Sequence, residues 1–176
     1  MIEPVKRITV LVTVLMLLFS TACALEEKEL TEEDLSVLIG ERSFMIGSPA
    51  EPFLKAIEDM LQQTLEKTET ESCMFSGMDK EYASESLLIG THPSGKNGED
   101  EWESLLVFDP SLSSCRGIRV GMSREEVIFA YGESGVFDWD ELSFTHPETG
   151  ASLVFVFDME TDEVICWMIL RNTDAA

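Results

Sequence analysis

Residues Gly117 to Gly132 read G-I-R-V-G-M-S-R-E-E-V-I-F-A-Y-G, and they leave the backbone little choice. Ile118 and Val120 flank polar Arg119, the period-2 alternation of a half-buried strand. Gly121 supplies a turn that a Cβ would resist. Ser123 precedes Glu126 by three residues, the spacing of a capping box in which serine and glutamate satisfy each other's helix-start N–H groups. Val127, Ile128 and Tyr131 then share one helical face, and Gly132 is suited to end the helix.

Moved back by 74 residues, the same pattern recurs in blurred form. Phe44-Met45-Ile46-Gly47-Ser48 falls under Ile118-Arg119-Val120-Gly121-Met122, Phe53 under Val127 and Ile57 under Tyr131. Ser48-Pro49-Ala50-Glu51 gives this copy its own cap, one residue sooner after the glycine. Pro49 suits a first helical position, whereas Pro52 cannot donate an intrahelical bond. The two stretches read as an internal repeat.

Around them the pattern predicts a hairpin over Leu35–Ile39 and Ser43–Ile46, and a first helix from about Pro49 to Leu65. Glu66 to Glu71 reads as a polar loop, Tyr82 to Thr91 as one or two short strands, and Trp102 to Phe108 as the next strand. After the second helix come a loop at Gly135 to Glu141 and a meander over Leu142–Thr145, Ala151–Phe157 and Val164–Leu170. Both faces of the last two strands are apolar, which fits helices on one side of the sheet and a partner on the other. The expected class is α+β: two degenerate helix-then-antiparallel-sheet halves, residues 35–110 and 111–176, forming one domain.

The start of the chain predicts a location. Lys6 and Arg7 precede Ile8 to Phe19, an apolar run of twelve residues, shorter than the roughly 20 that a permanent spanning helix needs. Ser20-Thr21-Ala22-Cys23 follows and resembles a bacterial lipobox. The resemblance implies a signal peptide over residues 1–22, cleavage before Cys23, and acyl chains such as palmitate on that cysteine. Such a protein is lipid-anchored on the extracytoplasmic face of the cell membrane. Cleavage leaves 33 acidic and 10 basic residues. So acidic a chain lacks the Lys and Arg patches that nucleic acid requires, and anionic lipid repels it, so attachment falls to the anchor. The acidic residues from Ala24 to Asp34 read as an extended tether between Cys23 and the domain.

The Gly117–Gly132 pattern resembles the beta-lactamase-inhibitor-like repeat, which the small lipoprotein of the outer-membrane barrel assembly machinery shares. Together with Ser72-Cys73-Met74-Phe75-Ser76-Gly77-Met78-Asp79-Lys80-Glu81-Tyr82, it is similar to a group of lipoproteins from Gram-positive gut bacteria. The resemblance spans about residues 35–171. It implies a tandem helix-and-sheet fold and a role in protein binding, and it carries no catalytic motif.

The remaining candidate residues are few. Cys73 and Cys115 sit at loop edges and are the best-placed pair for a disulfide outside the cytoplasm, while Cys166 reads as a buried strand residue. Three thiols are an odd number, so one stays free or pairs between chains. His92 and His146 both occur in Thr-His-Pro but 54 residues apart, without metal-ligand spacing. The clusters Asp138, Asp140, Glu141 and Asp158, Glu160, Asp162, Glu163 lack calcium-loop order. No phosphate loop or nucleophile elbow is present, so no cofactor and no catalysis are expected. Trp102 and Trp139 are the candidate binding aromatics, with Trp167 assigned to the core. The expected function is a protein-binding or scaffolding module with an unidentified protein partner. The alternatives are a structural subunit of an envelope assembly complex or, further off, an enzyme acting on cell wall.

Overall fold

The computed structural model describes residues 28–94 and 99–172; the apolar run, Cys23 and the lipobox lie outside them. A 3-10 turn at Glu32–Leu35 leads into β1 (Ser36–Ile39) and β2 (Arg42–Met45), then helix α1 (Ala50–Leu61). Strands β3 (Glu66–Glu71), β4 (Met78–Ala83), β5 (Leu87–Pro93) and β6 (Asp100–Val107) follow. Helix α2 (Arg124–Tyr131) opens the second half, continued by β7 (Val136–Asp138), β8 (Glu141–Thr145), β9 (Ser152–Phe157) and β10 (Val164–Leu170). The architecture is α+β. Among these residues β1 and β2 form a separate hairpin, and the other strands make one sheet of order β3-β4-β5-β6-β10-β9-β8-β7. Every neighbouring pair is antiparallel.

Each helix is tied to the sheet in the same way. Gly47 N–H donates to Trp102 O at 2.9 Å and Trp102 N–H to Ser48 O at 3.2 Å. Gly121 N–H donates to Val164 O at 2.7 Å and Val164 N–H to Met122 O at 2.8 Å. Gly47 and Gly121 have φ of 79° and 89°, a conformation that a side chain would strain. The two four-stranded meanders join where β6 pairs with β10, with Leu105 opposite Ile169, Leu106 opposite Met168 and Val107 opposite Trp167.

Paired residues share a sheet face, so register defines the core. Leu87, Ile89, Trp102, Leu105, Val107, Leu153, Phe155, Phe157, Trp167 and Ile169 form one face, fully buried beneath Phe53 and Ile57 of α1 and Val127 and Tyr131 of α2. Each such side chain contributes about 1.5–3 kcal/mol by leaving water. Trp102 packs on Phe53 with ring centroids 4.6 Å apart, and its Nε1–H donates to Ser48 Oγ at 3.1 Å. At Gly135 a Cβ would meet Leu142 and Phe144 at under 3 Å, so only glycine lets β7 turn in beside β8.

Five expectations need correction. Helix α1 stops at Leu61, because Gln62 takes a left-handed φ of 55° and the Glu58 carboxylate accepts the Leu65 N–H. Ile118–Val120 is not a strand; its backbone closes local turns, with Ser114 N–H donating to Ile118 O and Ser114 Oγ accepting from Ile118 N–H. Glu66–Glu71 and Val136–Asp138, read as loops, are the two edge strands. Finally, the tether is not extended from Lys28 onward. Lys28 Nζ donates to Phe129 O at 2.8 Å, at the negative end of α2. Leu30 and Asp34 are buried, and Arg116 grips both Asp34 oxygens, at 2.7 and 2.6 Å.

Candidate protein-binding face

Two helices cover one face of the sheet, and the other face is open among the described residues. Cross-strand pairing places Ala83, Leu88, Leu106, Met168, Leu170, Val154, Val156 and Cys166 on that open side. None of them packs against the core cluster. Val154 and Cys166 are buried; the others are half-buried. Ile165, extruded where the β9–β10 register shifts, is 48% exposed. An apolar strip of this kind that no element of the fold covers is a candidate interaction site. Leu106 and Met168, opposite each other at the centre, lie where the two meanders meet.

The strip has an acidic border. Glu81 opposes Gly90, Glu141 opposes Val156, and Glu101 opposes His92, so their carboxylates stand on the open side. Glu103 is the extra residue of the β5–β6 irregularity between Gly90 and Thr91, and it leans over Gly90. At this end His92 is 4% exposed, stacked on Phe75 at 4.7 Å between centroids. Its Nδ1 lies 3.0 Å from a Glu103 oxygen without the alignment of a hydrogen bond, and its Nε2 lies 3.8 Å from Glu101. Arg171 holds the same Glu101 oxygen at 2.6 Å. This is a braced polar corner, and it fastens the β3–β4 loop through Phe75.

The structure scatters the other candidates. Trp102 and Trp167 are fully buried, so the expectation that Trp102 anchors a partner is wrong: its strand position faces the helices. Trp139 is 84% exposed at the β7–β8 turn, away from the strip's centre. Cys73, Cys115 and Cys166 are free thiols, so the Cys73–Cys115 disulfide is not formed. Cys73 sits in the β3–β4 loop; Cys115 sits beside Arg116 and Asp34. Burial, aided by the charges of Asp34 and Glu33, pushes the Cys115 thiol pKa up, and burial does the same to Cys166, which leaves both less nucleophilic.

His146 is buried in its turn, where Nδ1 accepts from Thr149 N–H at 3.3 Å. Asp158 Oδ1 accepts from the Glu160 and Thr161 N–H groups at 2.8 and 2.9 Å, and Asp162 pairs with Arg124. Asp158 therefore stabilises its own turn, and Asp162 ties that turn to α2. Among the described residues no group of three His, Cys, Asp or Glu side chains is arranged to hold a metal ion, and no helix is long and apolar enough to cross a membrane.

Sequence reasoning missed Leu88 and Leu106 as surface residues because each lies in an unbroken apolar run. The usable signal was that such runs are apolar on both faces although helices cover only one. No family model matches the chain, and neither does any curated protein or solved structure compared with it.

Proposed function

We propose that this is a membrane-anchored extracytoplasmic lipoprotein, lipidated at Cys23, that acts by binding a protein rather than by catalysis. The observation that carries the reading is the half-buried apolar strip of Leu88, Leu106, Val156 and Met168, with exposed Ile165 beside it, on the sheet face that neither helix covers and within an acidic border. Such a face suits a partner with an apolar centre and a basic rim, since opposite charge steers encounter and fixes register. Residues 35–110 and 111–176 are two degenerate halves of the tandem beta-lactamase-inhibitor-like kind. The paired bonds from Gly47 to Trp102 and from Gly121 to Val164, 74 residues apart in their glycines, support that relation.

The test places a photo-crosslinking side chain in cells at Leu106, at Met168, and at Thr68 on the charged edge strand β3. A discrete adduct of one size from the first two positions and none from Thr68 is expected, weakened by salt and by Glu103→Lys. Equal labelling at all three positions overturns the reading.

A further inference from the structure

The two edges of the sheet are treated in opposite ways. Strand β3 reads E-K-T-E-T-E and is exposed throughout, with Lys67 paired to Glu69. Charge of this kind blocks pairing with stray strands. Strand β7 reads V-F-D, with Val136 68% and Phe137 47% exposed. Phe129 on α2 and Met159 in the β9–β10 turn are both nearly four-fifths exposed, and that turn lies beside the β7–β8 turn, where Phe157 N–H donates to Asp140 O at 2.8 Å. Trp139, 84% exposed, is held at φ 55° in the β7–β8 turn, where asparagine or glycine would be relaxed. A bulky aromatic in that conformation costs stability and returns none through packing. Strain retained on a surface residue points to a role there.

The chain outside the described residues joins at this edge. Lys28 Nζ stands 5.3 Å from the Phe129 ring centroid and donates to Phe129 O, while Lys28 O accepts from Ser134 Oγ. Ser134 is two residues before β7. Cys23 is five residues before Lys28, a reach of about 17 Å at full extension, and Phe19, where the apolar run ends, can be no more than about 30 Å away. Whichever of these holds the membrane, the segment at α2 and β7 is tethered within that distance of it.

We propose that the β7 edge, with Phe129, Val136, Phe137, Trp139 and Met159, rests in the headgroup–acyl boundary of the bilayer that holds the anchor. The inference rests on the anchored-lipoprotein reading of the N-terminus. Tryptophan favours that boundary, where its ring meets hydrocarbon and its N–H meets water, and phenylalanine adds apolar area. Asp138, Asp140 and Glu160 border the patch, so the contact is apolar and not an attraction to anionic lipid. The short tether supplies the high local concentration that lets a small apolar patch bind. Lying on this edge, the molecule stands with its open sheet face turned sideways along the membrane.

The test uses the full chain purified with its native anchor and reconstituted in phosphatidylcholine vesicles, some with acyl chains brominated near the headgroup. Trp102 and Trp167 are buried and give a constant background, so the change reports Trp139. The expected result is flotation with the vesicles, a blue shift, quenching by the brominated lipid and loss of quenching by aqueous acrylamide. Trp139→Ser abolishes the lipid-dependent part, and a Gly-Ser spacer inserted after Glu27 weakens it. A chain that floats while acrylamide still quenches Trp139 overturns the membrane contact alone. A chain that does not float overturns the anchor and the contact with it. Protection of Trp139 that rises with protein concentration without lipid overturns the contact in favour of pairing between two copies.

Discussion

Arg116 joins three segments through one guanidinium. Beyond its fork on Asp34, it donates to Ala130 O at 3.1 Å and Glu29 O at 3.0 Å and stacks on the Tyr131 ring at 4.8 Å. Arg116→Ala strands a buried carboxylate, and a loss of about 3–5 kcal/mol is expected by chemical denaturation. Arg116→Lys restores only part, because an ammonium cannot fork. Burial of Asp34 raises its pKa, but hydrogen bonds from Arg116 and Thr31 outweigh that and leave it below the ordinary carboxylate value. Its stabilisation is therefore complete above the unfolded pKa of about 4 and disappears as pH falls through the lower folded value. Stability measured across acid pH should show this loss in the native chain and a flatter profile in Arg116→Ala. Tyr131 has the opposite sign: burial pushes its pKa up to about 12 against its hydrogen bond to Ser114. Because the raised form is the neutral one, stability holds below about pH 10 and falls as pH climbs towards 12. Ultraviolet titration should find a late-ionising tyrosine that is absent in Tyr131→Phe.

Helix α2 has only eight residues and depends on its ends. Ser123 N–H and Oγ both donate to the Glu126 carboxylate, at 2.8 and 2.9 Å, and Ser123 Oγ accepts from Glu126 N–H. Ser123→Ala should cost about 1 kcal/mol in thermal or urea unfolding. This element was legible in full, since its start and stop signals lie within a few residues of one another. So were β8, β9 and β10, whose hydrophobic runs are bounded by Pro147-Glu148-Thr149-Gly150 and the acidic turn after Phe157. The edges were not legible. Glu66 to Glu71 carries no apolar period, and the β4 backbone alone recruits it into the sheet. Val136–Asp138 is too short to show any period. The apolar strip was half legible: double-sided apolarity announced an open face, but only register could say that Trp102 faces inward and Leu106 outward. That same division predicts that Leu105→Ala costs about 2–5 kcal/mol as a core truncation, whereas Leu106→Ala disturbs stability far less and weakens crosslinking from Met168.

At the scale of the whole molecule, β6 and β10 weld the halves. Separated, each half would present the ladder of its last strand, flanked by Leu105 and Val107 or by Trp167 and Ile169, to water. Residues 28–110 and 111–172 made as two chains should each lack a cooperative unfolding transition by circular dichroism and recover one on mixing; independent melting of either would show two domains instead. The docked N-terminal segment has a last consequence, for mechanics. If the chain is held by its first residues, as proposed, a pull on its open face runs as tension along that segment. The load passes from Lys28 into the last turn of α2 and through Asp34 into Arg116, before it reaches any strand of the main sheet. The fork at Arg116 thus works as a strain relief, as a clamp on a cable spares the joint behind it. Under pulling it should yield first, leaving the eight-stranded sheet and the face it displays in one piece.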